Sequence, residues 1–130
     1  MRFFLKKMEN EQISEKISLN NGEILEIIDK SRIIASDTWF VSLIFRIEIN
    51  IIGKTINPVT PVSIADIRKK LGDTVVYSVT HERNFIKDNQ KDAVLNDMRD
   101  SFLNTNLKYL SNPEFSEKFI LKTYYEKKTY

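Results

Sequence analysis

The chain contains no cysteine. That excludes disulfides, thiolate-bound zinc, iron–sulfur clusters and thiol nucleophiles, and it is compatible with a reducing compartment. It has one histidine, His81, among 130 residues. A metal centre would therefore have to be a carboxylate cage, and a serine or threonine nucleophile would compete for a single imidazole. Glycine and proline are scarce, with three of each. Gly22, Gly53 and Gly72 stand far apart, whereas phosphate-cradling loops need clustered glycines. No sign of charge dominates: 20 basic residues face 18 acidic ones, for a net charge of +2. Such a balance does not force a polyanionic partner. Long apolar runs are missing too. Phe3-Phe4-Leu5 is shorter than a secretory core, and Trp39 to Ile52 is interrupted by Ser42, Arg46, Glu48 and Asn50. The expectation is a cytoplasmic protein with no cofactor, no metal and no membrane contact.

What is present is globular in character: 42% hydrophobic and 29% charged residues. The length predicts one domain over residues 1–130, with the polar residues 1–12 as its least ordered end. Such a chain buries roughly two-thirds of its unfolded surface, enough for a core without covalent staples. Isoleucine, lysine and asparagine number 17, 14 and 11, against 3 alanines. Their AT-rich codons suggest a low-GC, bacterial-like genome, so abundance of these residues carries little functional meaning.

The clearest element is a long strand from Trp39 to Ile52. Trp39, Val41, Leu43, Phe45, Ile47, Ile49 and Ile51 alternate with more polar residues, as a half-buried strand requires. Leu25 to Ala35 pairs with it through a turn at Ser36-Asp37-Thr38. A three-residue turn sets Ile33 opposite Val41 and Ile27 opposite Ile47, keeping apolar residues on one face. It also sets Glu26 opposite Glu48, a like-charge pair. Asn21-Gly22 marks a tighter hairpin, joining a strand at Lys16 to Asn20 with the segment from Glu23. Glu23 to Asp29 also reads as a helical turn, because Ile24, Ile27 and Ile28 share a helical face.

Ser63 caps a short helix with stripe Ile64, Ile67 and Leu71, ended by Gly72. Thr74 to Ile86 is a strand with Val75, Tyr77, Val79 and Phe85 on one face. Asp88 caps a long helix from Asn89 to about Leu110, with stripe Val94, Leu95, Met98, Phe102 and Tyr109. Ser111-Asn112-Pro113 breaks it. Phe115 to Lys127 then reads as a last strand, with Phe119, Leu121, Thr123 and Tyr125 on one face. The predicted fold class is α+β: an antiparallel sheet of four or five strands, including a long β-hairpin, with one short and one long helix packed on one face.

Chemistry is sparse. His81 and Arg83 are the weak catalytic candidates, since a general base needs an orienting carboxylate and a pocket. Asp92, Asp97 and Asp100 lack ligand spacing and read as a solvated helix face. The outer face of the hairpin says more. Ile34, Phe40 and Ile44 stand there beside Arg46, where a solvated sheet face would be polar. Phe3, Phe4 and Leu5 are candidates to cover that face from within the chain. The leading reading is a partner-binding surface at Ile34, Phe40, Ile44 and Arg46, used for a homodimer or for another protein. The alternative is a nucleic-acid module using Lys30 and Arg32 with Lys122 and Lys127 of the C-terminal segment, though nucleic acid is not favoured. A small enzyme centred on His81 is the third reading.

Overall fold

The computed structural model describes residues 13–54 and 62–127. Five antiparallel strands form one sheet: β1 (Ile13–Ser18), β2 (Ile24–Asp29), β3 (Arg32–Ala35), β4 (Thr38–Asn50) and β5 (Thr74–Lys87). β4 is the spine. It pairs with β2 and β3 on one side and with β5 along nearly its whole length on the other. β1 pairs with β2. Alternation along β4 explains the layering. Val41, Leu43, Phe45, Ile47 and Ile49 are buried on one face, with Leu25, Ile27 and Val75 beside them. The predicted α+β class and antiparallel sheet are borne out.

Three helices cover that inner face: α1 (Ile64–Leu71), α2 (Lys91–Leu110) and α3 (Phe115–Glu126). α1 begins as its sequence dictates, with the Ser63 hydroxyl accepting from Asp66 N at 3.1 Å. It ends at Gly72, whose φ of 89° is left-handed. α2 lays Met98, Phe102 and Leu110 into the core, and Phe102 stacks on Phe45 with ring centroids 3.8 Å apart. Among the described residues, no helix is long and apolar enough to cross a membrane.

Several expectations need correction. The segment Phe115 to Glu126 is a helix, not a strand. Six of its eight buried or half-buried residues, Phe115, Ser116, Phe119, Ile120, Thr123 and Tyr124, follow a 3.6-residue repeat, with Glu117 and Leu121 flanking the stripe. Phe115 and Phe119 both pack edge-on against Tyr77 at 5.7 Å. Aromatic and threonine side chains favour strands only where a pleated surface receives them, and here a helical stripe meets the sheet instead. The lysines of the expected last strand therefore lie on a helix, and β5, paired only with β4, forms a sheet edge.

Within Glu23 to Asp29, Ile24–Asp29 is strand rather than helix, and its hairpin with β1 turns over Leu19 to Glu23. The segment Leu25 to Ala35 is two strands, broken at Lys30-Ser31. There Ser31 N donates to Asp29 Oδ1, and Ser31 Oγ accepts from Ser42 N. The turn into β4 is shorter than expected, and Ile27 sits opposite Phe45, two residues from the expected register. An even shift leaves the faces unchanged. It also removes the like-charge pair: Glu26 faces Arg46, with Oε1 accepting from Nη2 at 2.9 Å. Asp88 does not cap α2. Its carboxylate accepts from Trp39 Nε1 at 2.8 Å, and a 3-10 turn, Asp88–Gln90, leads into the helix.

Candidate functional site

The register lays out the outer face as rows. Lys16, Glu26, Arg46 and Ser78 form one; Ile13, Ile28, Ile44 and Thr80 form the next. Within the second row Ile28 is 1% exposed and Ile44 is half-buried. Arg46 is tied to Glu26 by two hydrogen bonds. These two expected contact residues thus belong to a knit band across the middle of the face. The expected cover from Phe3, Phe4 and Leu5 lies outside the described residues.

The end of the sheet differs. Arg32 pairs with Phe40, and its guanidinium carbon lies 5.0 Å from the Phe40 ring centre. Across β4 the ladder slips: Trp39 faces Ile86, but Val41 faces Arg83, so Asn84 and Phe85 both oppose Phe40. This is a β-bulge. Phe85 carries the strain, with φ of 57°, a left-handed conformation rare for a bulky residue. The bulge also reverses side-chain parity. Ile86 takes the inward position and packs at the core, while Phe85, expected on the core face, is 77% exposed. Ile33 and Ile34, at a second bulge in β3, are 54% and 36% exposed nearby. A bulky apolar group in this state is more informative than a single exposed aliphatic side chain.

Polar contacts hold this end together. Asp88 N donates to Asp37 O at 2.8 Å, joining the β3–β4 turn to the end of β5. Lys87 reaches Asp37 at 3.9 Å, and Lys91 Nζ lies 4.2 Å above the Trp39 ring. The rim therefore carries both signs. Ile34 and Phe40, expected from the sequence, sit at this end; Ile44 and Arg46 lie toward the middle. Phe85 is the residue the sequence reading placed on the wrong face.

The candidate nucleic-acid residues are not brought together. Lys30 and Arg32 flank the break before β3, whereas Lys122 and Lys127 are on α3. Lys127 Nζ donates to Lys70 O at the end of α1. α3 packs at Tyr77, which faces Ile47, seven residues along β4 from Phe40. At 3.3 Å per residue that is about 23 Å. Arg68, Lys69 and Lys70 in the last turn of α1 also complement its helix dipole.

No protein-family model, curated protein or solved structure matches the chain.

Two of the clefts beside α2 are also lined by charged residues of the strands. One, of about 410 Å³, is lined by residues that include Glu15, Asp29, Asp92, Asn96 and Arg99. Its cation is already matched, since Arg99 donates to both Glu15 oxygens at 2.6 and 2.7 Å and to Asp100 at 2.8 Å. These hydrogen bonds hold the Glu15 carboxyl below the usual carboxylate range. The other cleft adjoins His81 and Arg83. His81 packs edge-on against Phe45 and Phe102 at 5.7 and 5.8 Å. No carboxylate orients it among the described residues, so the arrangement expected of a general base is not assembled. Also among the described residues, no group of three or more histidine or carboxylate side chains is placed to hold a metal.

Proposed function

We propose that the protein acts by association, pairing with a second copy of itself through the sheet end formed by Ile34, Phe40 and Phe85. The observation that carries this reading is Phe85, a phenylalanine held outward at positive φ on a bulged strand. Neither the strain nor the exposure favours the isolated fold. Covering the exposed part of the ring, about 150 Å², is worth about 4 kcal/mol per copy. Two copies meeting about a twofold axis gain this twice, and Ile34 adds to it. Against the low end of an association cost of about 4–15 kcal/mol, this gain supports a weak, concentration-dependent dimer. The rim supports a self-complementary contact, because Arg32 and Lys87 stand beside Asp37 and Asp88. A twofold copy sets cation against anion there.

The test is solution mass by light scattering behind a sizing column, for the native chain and for Phe85→Asp. The reading predicts a dimer for the first and a folded monomer for the second. Equal masses sink it. A raised 260/280 nm ratio that falls with salt would transfer the surface to nucleic acid, where Phe85, Phe40 and Arg32 would serve as stacking groups.

A further inference from the structure

We infer that the cleft between β5 and α2 binds a small oxyanion-bearing molecule of the phosphate-monoester class, separately from the association surface. It has a volume of about 360 Å³ and is lined by Thr80, His81, Glu82, Arg83, Met98 and Ser101. That is the low end of ligand-binding pockets, suited to one anionic group and a small body.

Strand register explains the donor set. His81 faces Leu43 and Arg83 faces Val41, so both stand on the side of the sheet that α2 covers. Met98 and Ser101, one turn apart on α2, line the helix side of the cleft, with buried Met98 as its apolar part. The imidazole is steadied by the Phe45 and Phe102 rings, which offer it no competing polar partner.

The arginines make the argument. Five are described. Arg46, Arg68 and Arg99 each bond a carboxylate, and Arg32 lies against Phe40. Among the described residues, Arg83 has neither a carboxylate within 4 Å nor an aromatic partner. A guanidinium is a planar fork suited to phosphate and carboxylate oxygens. Here it stands beside an imidazole and the Ser101 hydroxyl, neither of which has a hydrogen-bond partner among the described residues; the Thr80 side chain, beside Ile44, belongs to the other face. Of the nearby acids, Glu82 faces Ser42 on the opposite side of the sheet. Asp97 lies one helical turn before Ser101, and neither pairs with Arg83.

The experiment is an amide NMR titration of the full chain at constant ionic strength, with inorganic phosphate and with phenyl phosphate as probes. Saturable shifts confined to Thr80–Arg83 and Met98–Ser101 are expected, tighter for phenyl phosphate. Arg83→Gln should weaken binding about tenfold or more while leaving the thermal midpoint in place. Lys87→Gln, outside the cleft, should change nothing. Equal affinity for the two probes would assign the site to the free ion. Shifts that do not saturate, that spread over the other cations, or that survive Arg83→Gln overturn the proposal.

Discussion

Replacing Phe85 by alanine and by glycine separates backbone strain from the ring. Both variants lose the same side chain, so any loss of contact cancels in their difference. What remains is the conformation at φ 57°. Alanine bears the left-handed penalty of about 1–2 kcal/mol, from Cβ crowding the following carbonyl. Glycine avoids it but loses about 0.5–1 kcal/mol more chain entropy on folding. The glycine variant should therefore be more stable than the alanine variant by about 0.5–1 kcal/mol, the reverse of the usual order inside a strand. Urea unfolding followed through Trp39 reads this as a shift in midpoint at unchanged slope. For a chain of this size, 1 kcal/mol corresponds to about 3–5 °C in thermal midpoint. An alanine variant as stable as the glycine variant refutes the strain. It would also remove the argument that Phe85 is kept outward against the interest of the fold.

Other outcomes follow from the packing. Phe102→Ala removes the ring stacked on Phe45 and touching His81, and should cost about 3–5 kcal/mol in chemical denaturation. Glu23 is buried in the β1–β2 turn, where it accepts from Ser116 Oγ and meets Lys54 Nζ at 3.0 Å. Glu23→Ala unpins the turn from α3 and should lower stability by about 1–3 kcal/mol by the same assay. Arg99 holds the Glu15 carboxyl below its ordinary 4.5, so the folded state binds fewer protons than the unfolded one near that pH. The Glu15–Arg99 contribution is thus present above about pH 4.5 and fades as pH falls. Both side chains are about one-third exposed, which limits it to about 1 kcal/mol. Arg99→Gln should flatten the acid limb of the stability–pH curve, and an unchanged limb contradicts the assignment.

Much of the sheet was legible because alternation is a local signal. β4 shows it over 13 residues, and the Ser63 and Gly72 caps fix α1 from single positions. α3 was misread because Phe119, Leu121, Thr123 and Tyr125 also alternate. The helical set Phe115, Phe119, Ile120 and Tyr124 becomes decisive only once Tyr77 is in place to receive it. Asp88 has the position of a helix cap, but Trp39, 49 residues away in sequence, takes its carboxylate. The candidate surface divides in the same way. Ile34 and Phe40 follow from strand parity. Phe85 does not, because a bulge inverts parity at one residue and Asn84-Phe85 carries no glycine to announce it.

Concentration-dependent amide NMR of the native chain tests the association reading most directly, because it locates the contact as well as detecting it. The account predicts shifts and line broadening on raising the protein from micromolar to millimolar, confined to Arg32–Phe40 and Arg83–Asp88 and absent in Phe85→Asp. Spectra that do not change with concentration, or changes centred on Ile28 and Ile44 in the middle of the sheet, would contradict it.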